Sequence, residues 1–111
     1  MKRIALCIAV VGLMASAPVL ALGRGNPAAG KKKAATCEGC HGKGGVSTTP
    51  QFPVLAGQYY DYLVHALKAY RSGARKNSIM NGMASNLSDQ DIKDLAAYFS
   101  SQNGPLYTLQ R

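Results

Sequence analysis

Apolar side chains change their spacing several times along the chain, and each change predicts a different element. Ile4 to Val11 is an uninterrupted apolar run behind Lys2 and Arg3. A basic start, a short apolar core and small residues after it make an export signal. Val19-Leu20-Ala21 offers the cleavage site, so residues 1–21 are expected to be removed and 22–111 to form one domain. Reading Ile4 to Leu22 as a retained membrane anchor is weaker, because the length is marginal and Gly12 and Pro18 interrupt it. Asn26-Pro27 then has the form of a helix start, a capping side chain followed by proline in the first turn. An alanine-rich helix over 28–36 follows, carrying Lys31, Lys32 and Lys33 on a solvated face, with Gly30 small enough for another helix to cross closely.

Periodicity disappears between Gly42 and Gly57, where four glycines and two prolines enforce an irregular loop. A loop of that length in a compact domain is expected to cover something, with Phe52, Val54 and Leu55 turned inward. Helical spacing returns over 58–72: Tyr59, Leu63, Ala66, Leu67 and Tyr70 recur at threes and fours, and Gly73 can end the helix. Residues 74–87 read as a second loop containing Met80 and Met83. Ser88-Asp89-Gln90-Asp91 opens the last helix with a capping-box-like pattern, and Ile92, Leu95, Ala96 and Phe99 form its apolar stripe. Asn103-Gly104-Pro105 ends it. The expectation is an all-α domain of about three main helices joined by irregular loops.

The helical part runs directly into Cys37-Glu38-Gly39-Cys40-His41. Two thiols three residues apart, followed by histidine, match the pattern for covalent attachment of a c-type haem. Each thiol can form one thioether, and the histidine then lies against the ring where it can ligate the iron. A zinc site would need two more Cys or His ligands, and only His65 remains on the mature chain. A thioredoxin-like dithiol would need alternating strands and helices, which the pattern lacks. Removing the leader also removes Cys7, leaving the mature chain two of its three cysteines, both in the motif. No thiol remains for a separate disulfide. With no tryptophan and two phenylalanines, the domain would have a thin apolar core, and a buried porphyrin would fill it. The apo-chain is therefore expected to be largely unfolded.

The formal charge of +8 falls to +6 once Lys2 and Arg3 leave. In an exported protein that balance suits docking to acidic protein patches or anionic lipid rather than nucleic acid, or serves solubility alone. His65 is expected at the surface or half-buried rather than on the iron. Met80 and Met83 are the candidates for the sixth ligand, since two methionines in a polar loop are poorly explained as core filling.

Four stretches together resemble the small class I cytochromes c, most closely a single-haem unit of the cytochrome c4 and c5-like (c553-type) bacterial group. They are Cys37–Gly42, Phe52–Gln58, Ile79–Met83, and Leu87–Ile92 leading to Leu95–Phe99. The resemblance implies a class I cytochrome c fold wrapped around one covalent haem, with Cys37, Cys40, His41 and Met80 as cofactor-binding residues. Iron ligation would come from His41 and Met80, with Met80 preferred to Met83. It also implies that the Pro50 carbonyl accepts a hydrogen bond from the His41 ring. The departure is that cytochrome c4 carries two haems in tandem, whereas this chain has one attachment motif.

The implied function is a periplasmic one-electron carrier, monomeric, with redox partners bearing acidic patches and with no stable membrane insertion once the leader is cleaved. No acid, base or nucleophile is arranged for catalysis, so no enzyme is expected. The alternatives are a haem-bearing subunit of a periplasmic oxidoreductase, or a haem sensor or peroxidase-like protein with a displaceable sixth ligand.

Overall fold

A computed structural model describes residues 23–106 of the chain, together with Gly12. The expected leader, its cleavage site and the last five residues lie outside the described residues. Within them the protein is all-helical: α1 (Pro27–Lys33), α2 (Ala35–His41), a 3-10 turn (Lys43–Gly45), α3 (Tyr60–Ser72), α4 (Ser78–Ala84) and α5 (Asp89–Ser100). No helix among the described residues is long and apolar enough to cross a membrane.

Two boundaries differ from the expectation of three helices. The first helix is not continuous into the cysteine motif. At Ala34 the N–H bonds the carbonyl of Lys31, three residues back, and this tightened turn separates α1 from α2. The expected loop over 74–87 contains α4. Its start is made by Asn77, whose side-chain oxygen accepts from the N–H groups of Ile79 and Met80 at 3.1 and 3.0 Å. Asn81 stitches the segment to α3 by donating to the carbonyls of Tyr70 and Arg75, both at 2.8 Å. These are local polar bonds, and apolar periodicity does not report them.

α5 is the central element. Ser88 and Asp91 complete a reciprocal capping box. Beyond it Ile92, Leu95, Ala96, Ala97, Tyr98 and Phe99 are all buried. The core joins Leu95, Ala96, Tyr98 and Phe99 to Ala34 and to Leu63 of α3. α1 crosses α5 at Gly30, where a Cβ would overlap the Asp94 carbonyl and come within 2.7 Å of the Tyr98 Cβ. Only a residue without a side chain allows that approach.

The crossing is held by a polar cluster around Asp94, which is 3% exposed. Its carboxylate accepts from the Asn26 N–H (2.8 Å), the Lys33 ammonium (2.7 Å) and the Gln90 amide (2.8 Å). Burial pushes the Asp94 pKa up, but these three donors hold it below the usual carboxylate value. Lys33 also pairs with Asp91 at 2.8 Å and, with Ser88, lowers that carboxylate to about 2. Lys33 thus takes part in the helix crossing while remaining exposed, as Lys31 and Lys32 do.

Candidate functional site

Cys37, Cys40 and His41 occupy positions i, i+3 and i+4 of α2, so they share one face of the helix. Cys37 is half-buried and Cys40 exposed, and both carry free thiols. Burial, with smaller contributions from Glu38 and Cys40, pushes the Cys37 thiol pKa up. His41 is only 7% exposed. Its Nδ1 lies 2.8 Å from the carbonyl oxygen of Pro53, which can only accept, so the ring proton sits on Nδ1. The Nε2 lone pair is left available for a metal. Phe52 meets the imidazole edge-on, at 6.3 Å between centroids and 65° between planes.

The hydrogen-bond partner is therefore Pro53 and not Pro50. The chain reverses at Thr49–Phe52, where the Phe52 N–H bonds the Thr49 carbonyl, and Pro50 is left exposed at the bend. Pro53 lies on the returning strand of the loop, which continues to Leu55 and Ala56, where both N–H groups bond the Gly45 carbonyl. Gly45 makes that return possible. It has φ +81°, and a Cβ there would lie 2.8 Å from the Phe99 ring and 2.9 Å from the Ala56 nitrogen.

Cys37, Cys40 and His41 line one cavity of about 410 Å³ together with Met80 and Met83. α3 contributes Leu63, Ala66 and Leu67 to the wall, α5 contributes Leu95, Ala96 and Phe99, and the loop contributes Phe52, Val54 and Leu55. α4 packs chiefly on α3 and α2 packs chiefly on α1 and the 3-10 turn, so the methionines reach the cavity from a different wall than the imidazole. Met80 is half-buried, whereas Met83 is 48% exposed. His65 is exposed on α3 and does not line the cavity.

Two anchoring contacts carry no signal in the sequence. Glu38, inside the cysteine motif, accepts from the Tyr98 hydroxyl at 2.7 Å and the Gly44 N–H at 3.2 Å, tying α2 to α5 and to the turn after His41. The bond to Glu38, with burial, pushes Tyr98 up to about 12. Arg71 donates to Asp89 at 2.6 Å and to the Leu87 carbonyl at 3.0 Å, tying the end of α3 to the start of α5.

The donor set suits an iron carried by a ring better than a bare ion. Two thiols one helical turn apart, one imidazole with its far nitrogen committed, and a methionine thioether border a cleft whose walls are mostly apolar. No group of three or more His, Cys, Asp or Glu that could hold a metal ion occurs among the described residues.

The family model described as cytochrome c matches residues 27–103. The chain is 49% identical over 83 residues to cytochrome c4 of Pseudomonas aeruginosa, covering 75% of this chain and 41% of that protein. It is 49% identical over 81 residues to cytochrome c-554(548) of Halomonas halodenitrificans, covering 70% of this chain and 98% of that protein. Among solved structures, reduced cytochrome c4 from Pseudomonas stutzeri superposes with a TM-score of 0.70 at 45% identity, over 74% of this chain and 48% of the other. A thiosulfate dehydrogenase from Marichromatium purpuratum superposes with a TM-score of 0.69 at 35% identity, over 73% of this chain and 20% of the other. The chain thus spans less than half the length of the cytochrome c4 relatives it matches.

Proposed function

The chain belongs to the cytochrome c family, and from that premise we propose that it is a periplasmic carrier of single electrons, with Cys37 and Cys40 as the thioether residues and His41 and Met80 as the iron ligands. Haem c supplies the one-electron iron couple. The observation that carries the proposal is the convergence of two free thiols, an imidazole tied at Nδ1 and a half-buried methionine on one cavity.

Each residue has a definable task. Cys37 and Cys40 fix the ring to α2. The Pro53 carbonyl fixes both the tautomer and the tilt of His41, so Nε2 presents the same lone pair in either oxidation state. Met80 brings a neutral thioether, which favours the reduced iron more than a second imidazole would. It is preferred to Met83 because it is the more buried of the two and shares the inner face of α4 with the buried Ala84. The wall from Leu63 to Phe99 keeps water out and lowers the local dielectric. A pocket lined by α2, α3, α4 and α5 has little to rearrange when charge arrives or leaves, which suits fast transfer. The residues lining the pocket offer no evident nucleophile paired with a base, and the protein is read as a carrier rather than an enzyme.

Docking is expected to be electrostatic. Four of the chain's five carboxylates are engaged internally: Glu38 by Tyr98, Asp89 by Arg71, and Asp91 and Asp94 by Lys33. The outward charge is therefore strongly cationic and suits a partner with an acidic patch. The superposition on part of a thiosulfate dehydrogenase supports a second reading, a haem module held permanently in an oxidoreductase. Size-exclusion chromatography of the native protein separates them: a stable stoichiometric complex would overturn the free-carrier reading.

Visible spectroscopy of the purified protein tests the site. The oxidised protein is expected to show the far-red methionine–iron band, lost in Met80→Ala and retained in Met83→Ala. Retention of the band in Met80→Ala, or rapid carbon monoxide binding by the reduced parent at neutral pH, would refute the His41/Met80 assignment.

A further inference from the structure

We propose that Met83 is an oxidation site at the mouth of the cavity, where its thioether takes an oxygen atom from an arriving hydroperoxide and so spares Met80. The inference rests on the reading of Met80 as an iron ligand and gives a task to the second methionine, which that reading leaves idle. With the expected leader removed, the mature chain keeps two of its four methionines, Met80 and Met83. They lie three residues apart on α4, hence on one side of the helix, and both line the cavity.

Their surroundings differ. Met80 is half-buried, whereas Met83 stands in contact with solvent. Ile79 and Tyr62 line the same cavity and are 52% and 47% exposed, so these two side chains and Met83 mark its opening. A solute entering from that side meets Met83 before it reaches Met80. An apolar rim alone would be served equally well by leucine. What methionine adds is a polarizable, nucleophilic sulfur, and susceptibility to oxidation follows exposure.

The step balances without a further reactant. A lone pair on the Met83 sulfur attacks one oxygen of the peroxide, the O–O bond breaks as the S–O bond forms, and the other oxygen leaves as water or, from an organic hydroperoxide, as an alcohol. The thioether is oxidised by two electrons and the peroxide is reduced by two. A thioether carries no proton to lose, so the attack needs no neighbouring base. The two possible products differ in consequence. A sulfoxide at Met80 removes the thioether that holds the iron and places a polar group in a half-buried position. A sulfoxide at Met83 stays in water, and methionine sulfoxide reductases return it to the thioether.

Equimolar hydrogen peroxide added to the haem-loaded parent, M83L and I79M/M83L tests the shield, read by peptide mass spectrometry and by the far-red methionine–iron band. The parent is expected to gain one oxygen atom on Met83 and none on Met80, and to keep the band. M83L is expected to start with the same band and the same circular dichroism as the parent. It is then expected to lose the band in most molecules, with the oxygen found on Met80. I79M/M83L returns a thioether to the mouth one turn earlier on the same side of α4, and is expected to restore the band's survival. Oxygen found first on Met80 or on the haem-bound sulfur of Cys40 would overturn the proposal. So would equal survival of the band in the parent and M83L, or failure of I79M to restore what M83L loses. Absence of the band from the untreated parent would instead overturn the Met80 assignment on which this inference stands.

Discussion

Gly30→Ala sets two effects of known sign against each other. Alanine is the better helix former by about 1 kcal/mol, so α1 taken alone would gain. The added methyl, however, would overlap the Asp94 carbonyl and sit within 2.7 Å of the Tyr98 Cβ. Both are main-chain or near-main-chain atoms of the buried helix and cannot swing aside. α1 must back away from α5, and inserting a methyl into a packed core costs about 1–3 kcal/mol. Backing away also stretches the Asn26 and Lys33 bonds to Asp94, at 2.8 and 2.7 Å. Hydrogen bonds to a charged group contribute about 1.5–3 kcal/mol each, and partial loss of two adds a further 1 kcal/mol or so. The net expectation is a loss of about 2 kcal/mol. For a domain of this size that is roughly 8–16 °C in Tm. Thermal unfolding of the haem-loaded protein, followed by far-ultraviolet circular dichroism and by the haem band, measures it. An unchanged or raised Tm would refute the reasoning, because it would mean that propensity outweighs the close crossing.

Other expectations follow from the same contacts. Tyr98→Phe removes the hydroxyl bonded to Glu38 and is expected to cost about 1–2 kcal/mol in denaturant unfolding, with an unchanged m-value. Asp91 and Asp94 both have pKa values below the unfolded carboxylate value of 3.8. The stability they contribute is complete above that value and is lost as pH falls toward about 2. Lys33→Met is expected to weaken this acid dependence of Tm; an identical acid limb in the variant would argue against the cluster. Association with an acidic partner is expected to slow steeply as salt rises, and a rate insensitive to ionic strength would argue against electrostatic docking.

Much of the architecture was legible because it is local. Asn26, Pro27, Gly73 and the Ser88–Asp91 box announce helix ends by their own chemistry, and the structure places each where that chemistry predicts. Gly30 was legible as a close crossing, though not its partner. The stripe from Ile92 to Phe99 needed only a period. The missing parts depend on distant or unpatterned contacts. α4 is made by the side chains of Asn77 and Asn81, which read equally well as loop residues. Pro53 faces His41 because the loop reverses just after Pro50, and two prolines three residues apart give no means of choosing between them. Glu38 meets Tyr98 across 60 positions of sequence.

The α1–α5 lock also fixes an order of events. Asn26 and Lys33 bond Asp94 across 68 and 61 positions, so the loop they close spans most of the domain. Closing so long a loop comes late, after the local helices can form. Once it closes, the Cys37 thiol is half-buried and its pKa is raised, which leaves little reactive thiolate. Thioether formation at Cys37 is therefore expected to be faster on a chain whose crossing Asp94→Ala has opened than on the closed fold.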